Sequence, residues 1–264
     1  MKLVVVSDLH LDAVTAGVSR FEEISRALDY SVAIAANQEA DAYMFLGDMC
    51  DPDTGSSVFR CVEKVLDVAT KLRREGITSY WLTGNHDVIE DGSGDSTLAP
   101  LRALWRARPL PDEKNRGQVY YVDRPGYYPL RDRMGVRRAW MVALPYTAAS
   151  HTYDPAKAFS ERPQEDAAVL PLVVAGHLNV PGVVPGSETH EMPRGRDVWF
   201  PYDHICNAVG NHPVLMLNGH YHAAAKHYPR GEGLPPVYIP GTLARLSFVE
   251  GRNTPAAMVV EVPQ

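Results

Sequence analysis

Apolar residues along this chain come in short unbroken runs, each closed by glycine or a polar residue: Leu3-Val4-Val5-Val6, Tyr43-Met44-Phe45-Leu46, Tyr80-Trp81-Leu82, Leu172-Val173-Val174 and Val214-Leu215-Met216-Leu217. Runs this short, rich in β-branched and aromatic residues and bounded by turn formers, predict buried strands, since a helix needs a longer periodic stretch. Between the first three runs the period changes. Val58, Cys61, Val62, Val65, Leu66, Ala69 and Leu72 recur at helical spacing before Gly76, which predicts a helix with one buried stripe. Ser19-Arg20-Phe21-Glu22 has the form of a capping box and predicts a second helix ending near Asn37. With a strand over residues 77–82, the first 87 residues alternate strand, helix, strand, helix, strand, and such alternation predicts a parallel sheet.

The middle of the chain is less regular. A Gly/Ser/Asp loop at residues 91–95, a helix over residues 98–106, a proline-rich turn at residues 109–111 and strands over residues 119–122 and 139–144 are expected. Pro163 interrupts the segment before the run at Leu172. Residues 180–201 are rich in Gly, Pro and charge, and a long loop in that place predicts a substrate-contacting element. Strands over residues 237–239 and 257–262 close the pattern. With no repeat or linker to divide it, the chain is expected to form one domain over residues 1–264, with no separate capping domain.

Composition adds bounds. A hydrophobic share of 45% in 264 residues is enough for a substantial core. Only Lys2 and four apolar residues precede Ser7 and Asp8, too short a core for a signal peptide, and no stretch reaches the length of a membrane span. The cysteines are three and irregularly spaced, which predicts reduced thiols. A cytoplasmic location without membrane contact is the expectation. The net charge of −6 argues against a broadly basic nucleic-acid-binding surface, while leaving room for a local basic strip.

The chemistry lies where the runs stop. Asp8 and His10, Asp48, Asn85 and His86, His177, and His220 and His222 each follow one apolar run, and open α/β sheets carry their sites outside the carboxyl ends of the strands. Asp, Asn and His together offer oxygen and imidazole donors without thiolates, a set suited to borderline divalent cations and unlike a structural zinc site. Gly47, Gly84, Gly176 and Gly219 precede four of the clusters and are expected to allow the turns that lift the donors off the strands.

Taken in order, Asp8-Leu9-His10, Gly47-Asp48, Gly84-Asn85-His86-Asp87, Gly176-His177 and Gly219-His220-Tyr221-His222 resemble the calcineurin-like metallophosphoesterases. The resemblance implies an α/β fold, a four-layer α/β/β/α sandwich of two facing mixed sheets flanked by helices. It implies one metal ion on Asp8, His10, Asp48 and His222 and a second on Asp48, Asn85, His177 and His220, with Asp48 bridging. Manganese is the ion the family suggests, and iron, zinc, nickel or magnesium also suit the donors. Such a pair lowers the pKa of a held water toward ~7 and clamps phosphoryl oxygens during attack by the resulting hydroxide. His86 is then the family-like general acid, with Asp51 accepting its other ring hydrogen.

Within the family, Ala143-Leu144-Pro145-Tyr146, the segment from Gly182 to Gly186, Pro240-Gly241-Thr242, Leu246-Ser247-Phe248 and Glu250 are similar to the SbcD-type nuclease subunits. That branch implies phosphodiester hydrolysis on DNA and an ATPase partner. The chain stops soon after its last family-like segment, before that branch's capping domain and ATPase-docking segment, which weighs against the partner. A phosphodiesterase or phosphomonoesterase for small substrates such as cyclic nucleotides is the alternative reading, and a non-catalytic partner-binding scaffold is one of another class.

Single residues keep plainer readings beside these. His177 is either a ligand or a buried histidine bonded to a carbonyl, and Asp51 either orients His86 or caps the following helix. Cys50 reads as a small buried residue. His151, His190, His204, His212 and His227 read as surface or satisfied polar groups, and Arg194 and Arg196 as solvated or phosphate-contacting. Tyr120, Tyr121, Tyr127 and Tyr128 either stack on bases or belong to a strand and its turn.

Overall fold

Each apolar run is a strand, with alternate side chains entering different layers. The structure, a computed structural model, describes residues 1–52, 55–89, 93–106, 117–147, 170–180, 202–209, 213–228, 234–246 and 254–263. Its elements are β1 (Lys2–Val6), β2 (Val14–Thr15), β3 (Val18–Ser19), α1 (Phe21–Asn37), β4 (Ala42–Phe45), α2 (Ser57–Arg74), β5 (Thr78–Leu82), α3 (Leu101–Arg106), β6 (Val119–Val122), β7 (Gly126–Arg131), β8 (Arg137–Leu144), β9 (Leu172–Gly176), α4 (Tyr202–Val209), β10 (Leu215–Asn218), β11 (Ala225–His227), β12 (Val237–Ile239) and β13 (Met258–Glu261).

Two sheets face each other. The first runs β13-β1-β4-β5-β6, parallel except for antiparallel β13, so the predicted parallel sheet is a mixed one. The second runs β11-β12-β10-β9-β8-β7, parallel in its centre with an antiparallel strand at each edge. Leu3, Val5, Met44, Leu46, Tyr80 and Leu82 of the first sheet pack between the sheets against Met141, Ala143, Val173, Ala175, Leu215 and Leu217 of the second. Their sequence neighbours point outward. Val4, Val6, Tyr43, Phe45 and Trp81 meet Ile24 and Leu28 of α1 and Val65, Ala69 and Leu72 of α2, while Val142, Val174 and Met216 meet Tyr202 and Ile205 of α4. Strands covered on both faces have no polar alternation, hence the unbroken runs. The result is the expected α/β/β/α sandwich.

Two local expectations fail, and one helix was not foreseen. Ser19 does not cap α1: it is paired with Val14 in the β2–β3 hairpin, and its Oγ accepts the Phe21 N–H at 3.3 Å. Arg20 takes the cap position and pairs with Glu23 at 2.7 Å. Tyr127 and Tyr128, expected in a turn, lie in β7, where Pro129 is harmless because an edge strand can spare a donor. The β7–β8 turn is closed by Asp132, whose carboxylate accepts the Met134 and Val136 N–H groups and pairs with Arg138. Helix α4 was not anticipated, although Tyr202, Ile205 and Cys206 share its inner face.

Candidate metal centre

Strand ends from both sheets meet at one rim. Asp8, Asp48 and Asn85 follow β1, β4 and β5 of the first sheet, and His177, His220 and His222 follow β9 and β10 of the second. Backbone bonds continue the strand pairing into the loops: Asp8 N–H donates to Gly47 O at 2.9 Å, His10 N–H to Asp48 O at 3.1 Å, Leu11 N–H to Met49 O at 2.8 Å and Gly219 N–H to Gly176 O at 2.9 Å. Inside this brace four of the candidate donors hold left-handed backbones: Asp8 (φ 51°), His10 (φ 43°), Asp48 (φ 65°) and His220 (φ 74°). Such a conformation costs a non-glycine residue about 1–2 kcal/mol, and it persists where surrounding bonds over-determine it.

The glycines therefore act differently from the expectation. Among Gly47, Gly84, Gly176 and Gly219 only Gly47 is left-handed, at φ 100°. Gly84 and Gly219 supply room instead, since a Cβ there would strike the Asp48 carboxylate in one case and Ser7 Oγ and Leu46 O in the other.

Asp48 occupies the centre of the donors. Its Oδ2 is 3.7 Å from His10 Nε2 and 3.3 Å from His177 Nε2, and its Oδ1 accepts the His86 N–H at 2.9 Å. Asn85 Oδ1 lies 2.9 Å from His177 Nε2 and 3.3 Å from His220 Nδ1. Donor atoms of Asp8, His10 and His222 fall within 4.8 Å of one another, as do those of Asp8, Asp48 and His177.

The residues fit divalent ions on two counts. Both Asp8 carboxylate oxygens and His10 Nε2 are buried without a hydrogen-bond partner among the described residues, and a buried carboxylate without compensation is strongly disfavoured. His177 Nδ1 faces Leu46 O at 2.6 Å, which fixes that nitrogen as a donor and turns Nε2 toward the Asn85 and Asp48 oxygens. Nε2 and the two oxygens thus face one another, an arrangement that keeps a proton on Nε2 in the metal-free chain and fits an ion in its place. The carbonyl-bonded reading of His177 is met by Nδ1, while Nε2 faces two of the other candidate donors.

The titration behaviour follows. Burial pushes the Asp8 acid up. It pushes His10 down to about 4 and His220 down to about 3, the latter helped by His177. Burial opposes ionisation of Asp48, yet His177 beside it holds the carboxyl well below the usual range. Burial likewise opposes protonation of His177, but Asp48 outweighs it and raises the imidazole to about 9.

His86 stands at the edge of the cluster, its ring 5.2 Å from that of His10 and its Nδ1 3.4 Å from Asp51 Oδ2. Asp51 is not the cap of α2, a position held by Ser56. Cys50 is buried, as expected, and all three cysteines are free thiols. Tyr120 stacks on Tyr80 at 4.9 Å, Tyr121 is buried, and Tyr127 meets Trp140 edge-on, so these rings serve packing. His204 is exposed on α4 and His227 lies in β11, outside the cluster. Asp91, residues 109–111, His151, Pro163, the segment from Gly182 to Gly186, His190, Arg194, Arg196, His212, Ser247, Phe248 and Glu250 lie outside the described residues.

Sequence reasoning gave Asp87 no role. Fully buried, its carboxylate accepts the N–H groups of Gly84, Asp48 and Met49, each at 2.8 Å, and so binds the Asn85 loop to the Asp48 loop. Asn218 was missed too: its amide accepts from Leu178 N–H at 3.2 Å and donates to Gly219 O at 2.7 Å, joining the His177 and His220 loops. Thr83 links the sheets, its hydroxyl donating to Tyr146 O at 2.6 Å and its carbonyl accepting the Tyr146 N–H at 2.9 Å. Thr83 and Asn218 are adjacent to the motifs and Asp87 lies inside one, which was the available sign.

No helix among the described residues is long and apolar enough to cross a membrane. The sequence pattern of the calcineurin-like phosphoesterases matches residues 1–224. A dimetal phosphatase from Danio rerio is similar in structure, with a TM-score of 0.52 at 10% identity, covering 92% of this chain and 87% of that one. A purple acid phosphatase from yellow lupin (Lupinus luteus) seeds has a TM-score of 0.53 at 11% identity, covering 100% of this chain and 46% of that one. Likeness at such identities shows the shared fold. No curated protein matches the sequence.

Proposed function

This chain belongs to the calcineurin-like phosphoesterase family, and on that footing we propose that it hydrolyses phosphodiester bonds of nucleic acid, like the SbcD-type nuclease subunits it resembles. The observation that carries hydrolysis is the place of Asp48 Oδ2 between His10 Nε2 and His177 Nε2, beside the partnerless Asp8 carboxylate. In this reading Asp8, His10, Asp48 and His222 hold one ion, and Asp48, Asn85, His177 and His220 the other, manganese being the favoured metal. When bound, such a pair supplies Lewis acidity and neutralises phosphoryl charge. The protein's own part is proton delivery. His86 Nδ1 is held toward Asp51, which leaves Nε2 to carry a proton to the departing oxygen.

Two of the segments similar to the nuclease branch pack against the donor loops. Tyr146 is locked to Thr83, two residues before Asn85, and Thr242 N–H donates to His222 O at 3.1 Å, so both brace the donor loops. The net charge of −6 favours a second reading, hydrolysis of small substrates such as cyclic nucleotides or phosphomonoesters. The two similar structures are described as phosphatases, which agrees with that reading.

The test is Mn²⁺-supplemented protein on bis-p-nitrophenyl phosphate, p-nitrophenyl phosphate, cyclic nucleotides, and single- and double-stranded DNA. Cleavage of the diester and of DNA is expected, with His86→Ala about 10²–10⁴-fold slower where the leaving group is poor. Cyclic-nucleotide turnover without DNA cleavage would select the second reading. Inactivity on every substrate with metal bound would leave a partner-binding scaffold.

A further inference from the structure

One more acid belongs to the proton-delivery line. Along Asp8-Leu9-His10-Leu11-Asp12 the residues alternate: Leu9 and Leu11 are buried in the core against the helices, while Asp8 and His10 reach the rim. Asp12 continues the polar series and is half-buried. Its Oδ2 accepts the Asp51 N–H at 3.3 Å, and Asp51 Oδ2 in turn stands 3.4 Å from His86 Nδ1. Two residues before Asp51, Met49 O accepts the Leu11 N–H at 2.8 Å, which keeps the Asp8–Asp12 and Asp48–Asp51 segments side by side.

We propose that Asp12 is a positioning residue: by holding the Asp51 backbone it aims the Asp51 carboxylate at His86 Nδ1. The proposal rests on the reading of His86 as the proton donor to the leaving group. Asp12 touches neither substrate nor ions, and its effect passes through Asp51. An acceptor oxygen is all the role requires, so Asp12→Asn retains it and Asp12→Ala removes it.

The experiment uses the Mn²⁺-loaded chain and aryl phosphodiesters whose leaving groups run from p-nitrophenolate to phenolate. Asp12→Ala is expected to lower kcat about 10-fold on the phenolate diester, with KM unchanged and little loss on the p-nitrophenolate one. Asp12→Asn restores most of that turnover. In the double variant, Asp12→Ala adds nothing to the loss caused by Asp51→Ala, because the two act as one unit. A second readout needs no turnover: in ¹⁵N-labelled metal-free protein the His86 Nδ1 resonance moves in Asp12→Ala and returns in Asp12→Asn. An equal loss on all leaving groups, additive losses in the double variant, or an unmoved His86 resonance would each overturn the role of Asp12. If the parent chain cleaves no phosphoester, the proposed function fails by itself, and the His86 resonance still decides the role of Asp12.

Discussion

Asp8 and His10, on one side of Asp48, bring buried polar atoms that have no hydrogen-bond partner among the described residues, whereas Asn85, His177 and His220 on the other side are bonded to one another and to Leu46 O. The first side is held by backbone alone, through left-handed residues and the bonds from Asp8, His10 and Leu11 to the Gly47–Met49 segment. Side-chain bonds that tie the two sheets together hold the second. A donor group of the first kind is complete only around a cation, while one of the second kind also stabilises the empty fold. The same rim thus contains groups that destabilise the metal-free protein and groups that stabilise it.

Three measurements probe that difference. The largest effect is expected at the residue common to both sides. Asp48→Asn should lose ions from both positions and more than about 100-fold in turnover, since changes behind a ligand alone cost 10–100-fold in affinity or activity. Metal analysis after desalting, beside turnover, checks it, and full retention of two ions would dissolve the idea of a shared centre.

Next comes stability without metal. In EDTA, His177→Ala should destabilise the chain by about 1–3 kcal/mol, because Leu46 O is left buried without its partner. Asp8→Asn should instead leave it unchanged or more stable, by relieving a buried partnerless carboxylate. Added Mn²⁺ should stabilise the parent chain by about 2.7 kcal/mol at a hundredfold excess over Kd, and the Asp8 variant by less. Urea midpoints with and without metal give all of these, and equal losses in both variants would erase the distinction.

The smallest effect is in the pH profile of the metal-free chain. His10 and His220 ionise at about 4 and about 3 when folded against 6.5 when unfolded, so between 6.5 and those values the unfolded chain binds more protons and stability falls as pH falls. His177 is the reverse: raised to about 9, it contributes stability below 6.5 that is lost as pH rises through 9. These three histidines together favour a maximum near pH 6.5 in EDTA, while burial of the Asp8 and Asp87 acids, the latter raised to about 7, opposes the acid limb. His10→Asn should flatten the acid limb and His177→Ala the alkaline one; melting temperatures from pH 4 to 9 decide it.

Much of this was legible in the residues themselves. The unbroken runs at Leu3, Tyr43, Tyr80, Leu172 and Leu215 marked strands because strands buried on both faces leave no polar position to interrupt them. The donors were legible for a related reason, since a polar residue directly after such a run has nowhere to lie except the strand's end. Other features were hidden. Ser19 read as a cap, but its partner was Val14 across a hairpin rather than the helix after it. Asp87 carried no visible role because its partners, the Asp48 and Met49 N–H groups, are remote in sequence and are backbone, which any residue type presents.

The sequence by itself determined the strands formed by unbroken apolar runs, the two main helices, the donor types and their order. Covalent neighbours and side-chain chemistry suffice for these, because burial period and ligand preference are local properties. Only the tertiary structure decided that the donors come from two sheets, that the turns at Asp8, His10, Asp48 and His220 are made by left-handed donors rather than by most of the glycines, and that Asp12 reaches Asp51. Those outcomes depend on atoms brought within about 3 Å by packing, and hydrogen bonds and charges act over that distance whatever the separation along the chain.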